Sequence, residues 1–273
     1  MMHAATQPNL RPLTTTRAIM RHWLAIFLIA YGLFNALPFV APVFMKLGWT
    51  DAGNAIYTFY SFLCHQMAQR SFFLFGRHVM YGPDQMPVTL TGNTGADALI
   101  LRQFRGNAAL GWKVAWSDRM VSLYGGVWLV GLVYWGVARL RTVKPISVWL
   151  FGRLLLPIAL DGGTHMINDY LDGLTTGFRY HNVWLAALTG HIFPASFYNG
   201  DALGSFNSWM RLITGLLAAF GTVWFAFPLI DRSARSTVHD IDLKLEWIAD
   251  KQRRSATQLE GAYEHVRTTR PNQ

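Results

Sequence analysis

The sequence predicts an all-α integral membrane protein with four transmembrane helices and one further helix that re-enters the membrane or lies along its outer interface. Only 14% of the 273 residues are charged and 52% are hydrophobic, whereas soluble domains average about 25% charged residues. Several uncharged runs reach the ~20 residues that a helix needs to cross a bilayer. The basic residues behind the formal net charge of +9 lie at the ends of these runs. This distribution indicates membrane topology and excludes nucleic acid as the expected partner.

The first apolar run follows a basic, cytoplasmic amino terminus, residues 1–21, which contains arginines and no acid. Residues 22–45 are predicted to form an uncleaved anchor helix, because the run is longer than the ~7–15 residues of a cleavable signal. Further spans are predicted over residues 120–138, 146–166 and 208–230. The turn over residues 139–144 contains only basic charges, so the positive-inside rule places it in the cytoplasm with the amino terminus. Both termini are then cytoplasmic.

The stretch YSFLCHQMAQRSFFLFG, residues 60–76, sets polar groups among aromatic ones and contains the only cysteine. A fifth crossing would separate the two basic cytoplasmic segments across the membrane. We therefore interpret residues 54–76 as a re-entrant or interfacial helix. On a helix, residues three and four apart share a face, so His65, Gln66, Gln69 and Arg70 would point roughly one way.

Two Gly- and Pro-rich inserts, residues 77–113 and 167–207, are predicted to lie at the outer face, the first with a short helix around residues 97–104. The tail, residues 231–273, is predicted to be cytoplasmic. Its residues 238–266 show helical spacing of apolar side chains. This amphipathic helix either packs on its own protein or docks a partner.

Four separate segments place polar residues at the same predicted membrane face. Ionisable groups inside a bilayer normally pair or line a water-filled cavity. We expect aspartates and arginines of these segments to pair, either around a binding site or only to fix helix packing. The predicted pairs join Asp118 or Asp161 to Arg70, Arg119 or Arg211. The whole predicted cluster is Cys64, His65, Gln66, Arg70, Ser71, Asp118, Arg119, Tyr124, Asp161, His165, Asn207 and Arg211.

The candidate metal or haem ligands within this cluster are His65, His165 and Asp161. The sequence contains no HExxH or paired CxxC spacing, and histidines that only donate and accept hydrogen bonds are the alternative. Cys64 could act as a nucleophile if its pKa were lowered. Adjacent helical residues diverge by about 100°, so His65 is poorly placed as its base.

The segments CHQMAQRSFFLFG, WKVAWSDRMVSLYGG, PIALDGGTHM and NSWMRLITGLLAAFGTVWF resemble successive blocks of an uncharacterised membrane-protein family of bacteria and archaea, domain of unknown function two thousand and eighty-five. The resemblance covers about residues 55–230. It implies the cytoplasmic membrane of a prokaryote and no known activity. The family's Cys-x-Arg-Cys falls on Ser117 to Met120, so both thiols are missing, and His165 replaces the glutamine of its Asp-Gly-x-x-Gln block.

Because those thiols are missing, the first hypothesis is an accessory or scaffolding subunit of a larger membrane complex, in contact with lipid and other membrane-protein subunits. The alternative is a membrane-bound redox enzyme, or one that binds a metal or haem, with its site at the outer face. A small transporter, with Asp161 and Arg211 lining a path, is a third hypothesis, although the sequence shows no repeat symmetry. The sequence assigns no catalytic residue and no substrate.

Overall fold

The computed structural model describes residues 9–268, and within them the chain is mainly helical. The parts of the predicted terminal segments at residues 1–8 and 269–273 lie outside the described residues. The helices are α1 (Arg11–Arg21), α2 (Trp23–Lys46), α3 (Thr50–Tyr60), α4 (Thr94–Gln103), α5 (Asp118–Leu140), α6 (Val148–Leu171), α7 (Phe178–His181), α8 (Val183–Leu188), α9 (Ala195–Tyr198) and α10 (Phe206–Thr268), and the strands are β1 (Ser71–Leu74), β2 (Gly106–Asn107) and β3 (Gly111–Ser117).

Three helices in the described part of the chain are long and apolar enough to cross a membrane. They are α2, α5 and the portion of α10 that begins at Phe206 and ends at Gln258. The prediction of a mainly helical membrane protein is therefore confirmed. Helix α6 is 24 residues long, but it contains Arg153 and Asp161 and does not belong to this group.

A small antiparallel sheet corrects the all-α prediction, and it also corrects the helix predicted over residues 54–76. Helix α3 ends at Tyr60, and the chain then turns through Gln66, whose φ of 53° lies in the left-handed region. The residues SFFL form β1 instead of continuing a helix. Aromatic side chains favour strands, and a short apolar run does not by itself distinguish a strand from a buried helix. The pairing with β3 decides between them.

Strand β3 lies at the centre of the sheet, antiparallel to β1 on one side and β2 on the other. Its register pairs Ser71 with Ser117. Arg70, which precedes Ser71, and Asp118, which follows Ser117, are therefore held at the same end of the sheet. The pairing joins two segments of polar residues that lie far apart in the sequence.

Helices α5 and α10 pack closely because glycines face the partner helix. A Cβ added to Gly126 would lie 2.8 Å from the Cβ of Ala219, and one added to Gly215 would overlap Ser122 Oγ. Ser122 Oγ also donates a hydrogen bond of 3.0 Å to the backbone carbonyl of Arg211. Small residues let membrane helices approach to this distance.

The chain divides into two compact units. The larger unit, residues 27–228, contains the sheet and the predicted polar cluster. The other unit consists of the amino-terminal segment, which ends at Ile26, and the carboxyl-terminal segment, which begins at Leu229. In this second unit Arg17 Nε lies 2.5 Å from Asp242 Oδ1, and Trp23 Nε1 donates to Asp231 Oδ1 over 3.3 Å. These contacts join α1 and the first residue of α2 to the carboxyl-terminal part of α10, which includes the predicted tail helix.

The Gly215→Ala variant is expected to be less stable than the wild type, by about 1–3 kcal/mol, because the added methyl group overpacks the α5–α10 contact. Gly136→Ala on α5 is the matched control, since a Cβ there has no atom within 4 Å. Thermal melting in detergent micelles measures both. Equal melting temperatures for the two variants would show that the contact is not tight.

Candidate functional site

A chain of five ions, four of them buried and Asp169 partly buried, connects α6, the segment before β1, the second insert, α10 and α5. Arg70 donates from Nη1 and Nη2 to the two carboxylate oxygens of Asp169, at 2.7 and 2.9 Å, and from Nε to Asp201 Oδ2 at 2.7 Å. Arg211 donates from Nη1 to Asp201 Oδ1 at 2.8 Å and from Nε to Asp118 Oδ2 at 2.7 Å. Asp201 is thus shared by two guanidinium groups.

A second ion chain is centred on Asp161. Arg119 Nη2 donates to Asp161 Oδ2 over 2.7 Å, and Arg179 Nη2 donates to Asp161 Oδ1 over 2.5 Å. The same nitrogen of Arg179 lies 3.0 Å from His165 Nε2. The backbone N–H of Arg119 donates to Asp118 Oδ1 over 2.8 Å, which joins the two chains. We call the eight charged residues the ion network; its arginines and aspartates are equal in number.

Mutual pairing keeps Asp201 and Arg70 charged. Burial by itself would raise the pKa of Asp201, but Arg70 and Arg211 outweigh this effect and hold the pKa well below its usual range. Burial would likewise lower the pKa of Arg70, and Asp201 and Asp169 reverse that change and raise it. Because these ions are almost fully buried, removal of one partner leaves a charge without compensation.

Helical periodicity explains how α6 contributes to the ion network. Asp161, His165 and Asp169 are spaced four residues apart, so they lie on one face over successive turns. Asp118 is the first residue of α5, where the positive end of the helix dipole favours a carboxylate. Arg211 lies near the start of α10.

The structure brings five of the predicted cluster residues into the ion network: Arg70, Asp118, Arg119, Asp161 and Arg211. Asp118 pairs with Arg211 and Asp161 with Arg119, which are two of the pairings that the sequence suggests. Arg70 pairs with neither of these aspartates. His165 contacts the network through Arg179.

The other predicted cluster residues in the stretch that follows α3 make structural hydrogen bonds. Cys64 Sγ accepts from the backbone N–H groups of Gln66, at 3.3 Å, and Ser117, at 3.4 Å. Gln66 Nε2 donates to the backbone carbonyl of Tyr57 over 2.9 Å. Ser71 Oγ donates to a backbone carbonyl over 2.8 Å. These bonds hold the irregular chain between α3 and β1.

Two further predicted residues lie beside the ion network and are not part of it. Asn207 Nδ2 donates to the backbone carbonyls of Arg179, at 2.6 Å, and Gly200, at 2.9 Å, and so holds the second insert to the start of α10. Tyr124 packs on Trp116, with ring centroids 5.0 Å apart. The structure does not bring Tyr124 into contact with the charges.

Sequence reasoning did not select Asp169, Arg179 or Asp201. A signal for Asp169 was present, since it lies two helical turns beyond Asp161 in α6. Arg179 and Asp201 lie in the second insert, where the elements are short and separated by turns. No periodicity relates these two residues to the spans, and only the tertiary structure brings them to the network.

A cavity of about 400 Å³ lies against the ion network. Its wall includes His65, Arg70, Asp118, Arg119, His165 and Arg211. The side chain of His65 borders this cavity and makes up part of its accessible surface. The guanidinium groups of Arg70 and Arg119 lower the pKa of His65, because they repel a proton on its exposed ring. The ring is therefore neutral near pH 7 and can accept a hydrogen bond there.

The proposed metal ligands are not assembled into a metal site. Both carboxylate oxygens of Asp161 already accept from guanidinium groups, and His165 Nε2 lies against Arg179. Within the described residues, no group of three or more His, Cys, Asp or Glu side chains is placed to hold a metal ion. The geometry therefore gives the metal interpretation of His65, His165 and Asp161 no support.

A buried lysine connects the stretch that contains Cys64 to helix α4 through hydrogen bonds. Lys113 Nζ donates to the backbone carbonyls of Gln66 and Arg102, each over 2.6 Å. Its side chain is fully buried, and burial lowers the pKa of Lys113 to about 7. Since Gln66 lies between Cys64 and Arg70, this lysine helps to place the first segment of the cluster.

The three candidate spans and the buried ion network define a mainly helical membrane protein. Residues 103–225 match the model of a family described as "Predicted membrane protein (DUF2085)". The resemblance inferred from the sequence is thereby confirmed, over a shorter range than about residues 55–230 and without the block that begins at Cys64. The uncharacterized protein MJ1492 of Methanocaldococcus jannaschii is 26% identical over 215 residues, which cover 77% of this chain and 94% of the archaeal protein. No solved structure matches this chain significantly.

The Asp201→Asn variant is expected to lose about 3–5 kcal/mol of stability, because Arg70 and Arg211 would then share no carboxylate. Asp84→Asn, at an exposed position of the first insert, is the control and should melt like the wild type. Thermal melting in detergent compares them. A stability loss as small as that of the control would show that the shared carboxylate does not hold the network together.

The stability of the wild type is expected to rise with pH relative to Lys113→Met. The folded pKa of about 7 lies below the ~10.5 of an exposed lysine. The unfolded chain therefore binds more protons between these two pH values, and stability rises with pH by up to about 1.4 kcal/mol per unit in this window. Melting curves of both proteins from pH 6 to 10 test this expectation. Parallel pH profiles would contradict it.

Proposed function

We propose that this protein is a non-catalytic accessory or scaffolding subunit of a larger membrane complex. The observation that carries the proposal is an apolar surface on the second insert. Leu188, at the end of α8, is 77% exposed, and Ile192, in the turn that follows, is 74% exposed. Val183 and Trp184, at the start of α8, are also exposed. Exposed apolar residues that lie close together in the sequence mark contact with another protein or with a membrane.

The proposal includes a topology of four spans in the cytoplasmic membrane of a prokaryote, with both termini in the cytoplasm. Helix α6 is the fourth span in this proposal. Its 24 residues suffice to cross a bilayer, and the pairing of Asp161 with two guanidinium groups lowers the cost of placing a carboxylate there. The basic residues between α5 and α6 support a cytoplasmic turn. The inserts and the ion network are then extracytoplasmic, with residues 54–76 at the outer interface.

The ion network supports a structural role over a redox or metal-dependent one. Each of its aspartates accepts a hydrogen bond from an arginine, so the charges are used in holding the segments together. Cys64 is buried and its sulfur accepts from backbone N–H groups. No contact of these residues specifically favours a redox or metal-dependent enzyme.

The carboxyl-terminal part of α10 supplies a second contact surface in this proposal. Leu243 is 52% exposed and Trp247 is 62% exposed, although both are large and apolar. They lie beyond residues 208–230, the stretch of α10 that crosses the membrane in this proposal. A partner protein could cover these side chains by packing a helix or a groove against them.

Extraction from the native membrane in a mild detergent tests the proposal. We expect the wild type to migrate on a blue native gel as an assembly larger than its own mass of 30.9 kDa plus detergent. The double variant Leu188→Asp, Ile192→Asp should migrate as the free subunit, because it places charge in the apolar contact. Ser196→Asp, at an exposed position in α9, should leave the assembly intact. A wild-type protein that is a stable monomer with no co-purifying subunit would refute the proposal.

A further inference from the structure

Four exposed cations lie close together in the sequence where α5 ends and α6 begins. They are Arg139, Arg141, Lys144 and Arg153, which we call the basic cluster. Residues 119–160 contain no aspartate or glutamate. Within the part of the chain that the structure describes, no member of the basic cluster forms an ion pair. The basic cluster is therefore a concentration of positive charge that the described residues do not neutralise.

Arg153 lies on the face of α6 that points away from α10. Phe151 faces α10, because its ring stacks on that of Phe225 with the centroids 4.6 Å apart. Two residues correspond to about 200° around a helix, so Arg153 points the other way. Trp149, one turn before Arg153, is 81% exposed, and Leu156, one turn after it, is 54% exposed. Arg153 thus interrupts an exposed apolar stripe, which α6 would present to lipid if it crosses the membrane.

The side chain of Arg153 can reach the level of the turn between α5 and α6. Arg153 follows the N-cap residue of α6, Ser147, by six residues, which is about 9 Å along the helix axis. Cα–Cβ bonds tilt towards the amino-terminal end of a helix, and this end of α6 is the turn. Long cationic side chains extend along apolar surface to reach polar surroundings. An arginine at this depth therefore has access to the headgroup layer of a membrane.

Aromatic and aliphatic side chains accompany the cations at this end of the helices. The guanidinium carbon of Arg139 lies 3.9 Å from the centroid of the Trp135 ring. Leu140, the last residue of α5, is 88% exposed. Tryptophan is enriched at membrane–water interfaces, where lipid hydrocarbon meets the headgroups. A surface that combines exposed apolar groups with unpaired cations matches this boundary, where hydrocarbon covers the former and phosphate pairs with the latter.

We propose that the basic cluster binds the phosphate of an anionic phospholipid, with Arg153 as the anchor. A guanidinium group can donate two parallel hydrogen bonds to a phosphate, and each further Lys or Arg near the surface adds attraction for anionic lipid. The acyl chains lie along the stripe that contains Trp149 and Leu156. Four cations in one stretch without acids match a layer of phosphates better than a single carboxylate of a partner subunit. This inference rests on the proposed crossing of α6 but not on the proposed role as a subunit.

Native mass spectrometry of the detergent-purified protein tests the proposal with two probes, palmitoyl-oleoyl phosphatidylglycerol and palmitoyl-oleoyl phosphatidylcholine. Both lipids contain a phosphate and the same acyl chains, but only phosphatidylglycerol has a net negative charge. We expect the wild type to bind phosphatidylglycerol about tenfold more tightly than phosphatidylcholine. Equal binding of the two lipids would overturn the proposal.

Variants locate the site. Arg153→Gln should weaken the binding of phosphatidylglycerol about fivefold and leave that of phosphatidylcholine unchanged. Arg153→Lys keeps the charge and should retain most of the preference. Arg77→Gln, at an exposed position of the first insert, is the matched control and should bind both lipids like the wild type. Equal losses in Arg77→Gln and Arg153→Gln would indicate a general effect of net charge and would overturn the assignment to the basic cluster.

Two further measurements separate this inference from the proposed function. On the blue native gel, a wild-type monomer that still prefers phosphatidylglycerol would refute the subunit role and support the lipid site. Release of a partner subunit by Arg153→Gln, with unchanged lipid binding, would assign Arg153 to a protein contact and overturn the lipid site. Maleimide labelling of Thr142→Cys in intact and lysed cells locates the turn, because Cys64 is buried. Labelling from outside, with the lipid preference retained, would refute the topology and support the site.

Discussion

The carboxylate of Asp201 is the group on which the arrangement of the ion network depends. It accepts from Arg70, in the turn before β1, and from Arg211, on α10. These arginines are separated by more than half the chain, and both are almost fully buried. A buried guanidinium group needs an opposite charge, because desolvation costs more than a single hydrogen bond returns. Asp201 meets this need for two arginines at once and thereby fixes the second insert over the ends of the helices.

The sheet supplies the complementary constraint. Its register holds Arg70 and Asp118 at one end of the sheet. From there the arginine before β1 contacts Asp201, and the aspartate at the start of α5 contacts Arg211. Lys113, within β3, donates hydrogen bonds to backbone carbonyls on two neighbouring segments. Backbone pairing and ion pairing therefore enforce the same arrangement, which explains how the second insert, whose elements are short, is held in one conformation.

Besides the cavity beside the ion network, a second cavity lies between α2 and α5; their walls differ in chemistry, and Asp118 belongs to both. The cavity beside the ion network is lined by charges that already have partners. The other cavity, between α2 and α5, is lined mainly by hydrocarbon. A paired charge gains little from a further partner, so the ion network keeps its structural role.

The sequence by itself determined the helical, membrane-embedded character of this protein, because helix length and the absence of charge depend only on residues that are near one another. It also identified Asp118, Arg119, Asp161 and Arg211 as charges that need partners. Only the tertiary structure decided which partners they have and that SFFL forms a strand. Arg179 and Asp201 come from turns in the second insert, and β1 depends on pairing with a strand some 40 residues away. Such long-range contacts leave no periodic signal in the chain, since they are selected by packing and charge compensation in three dimensions.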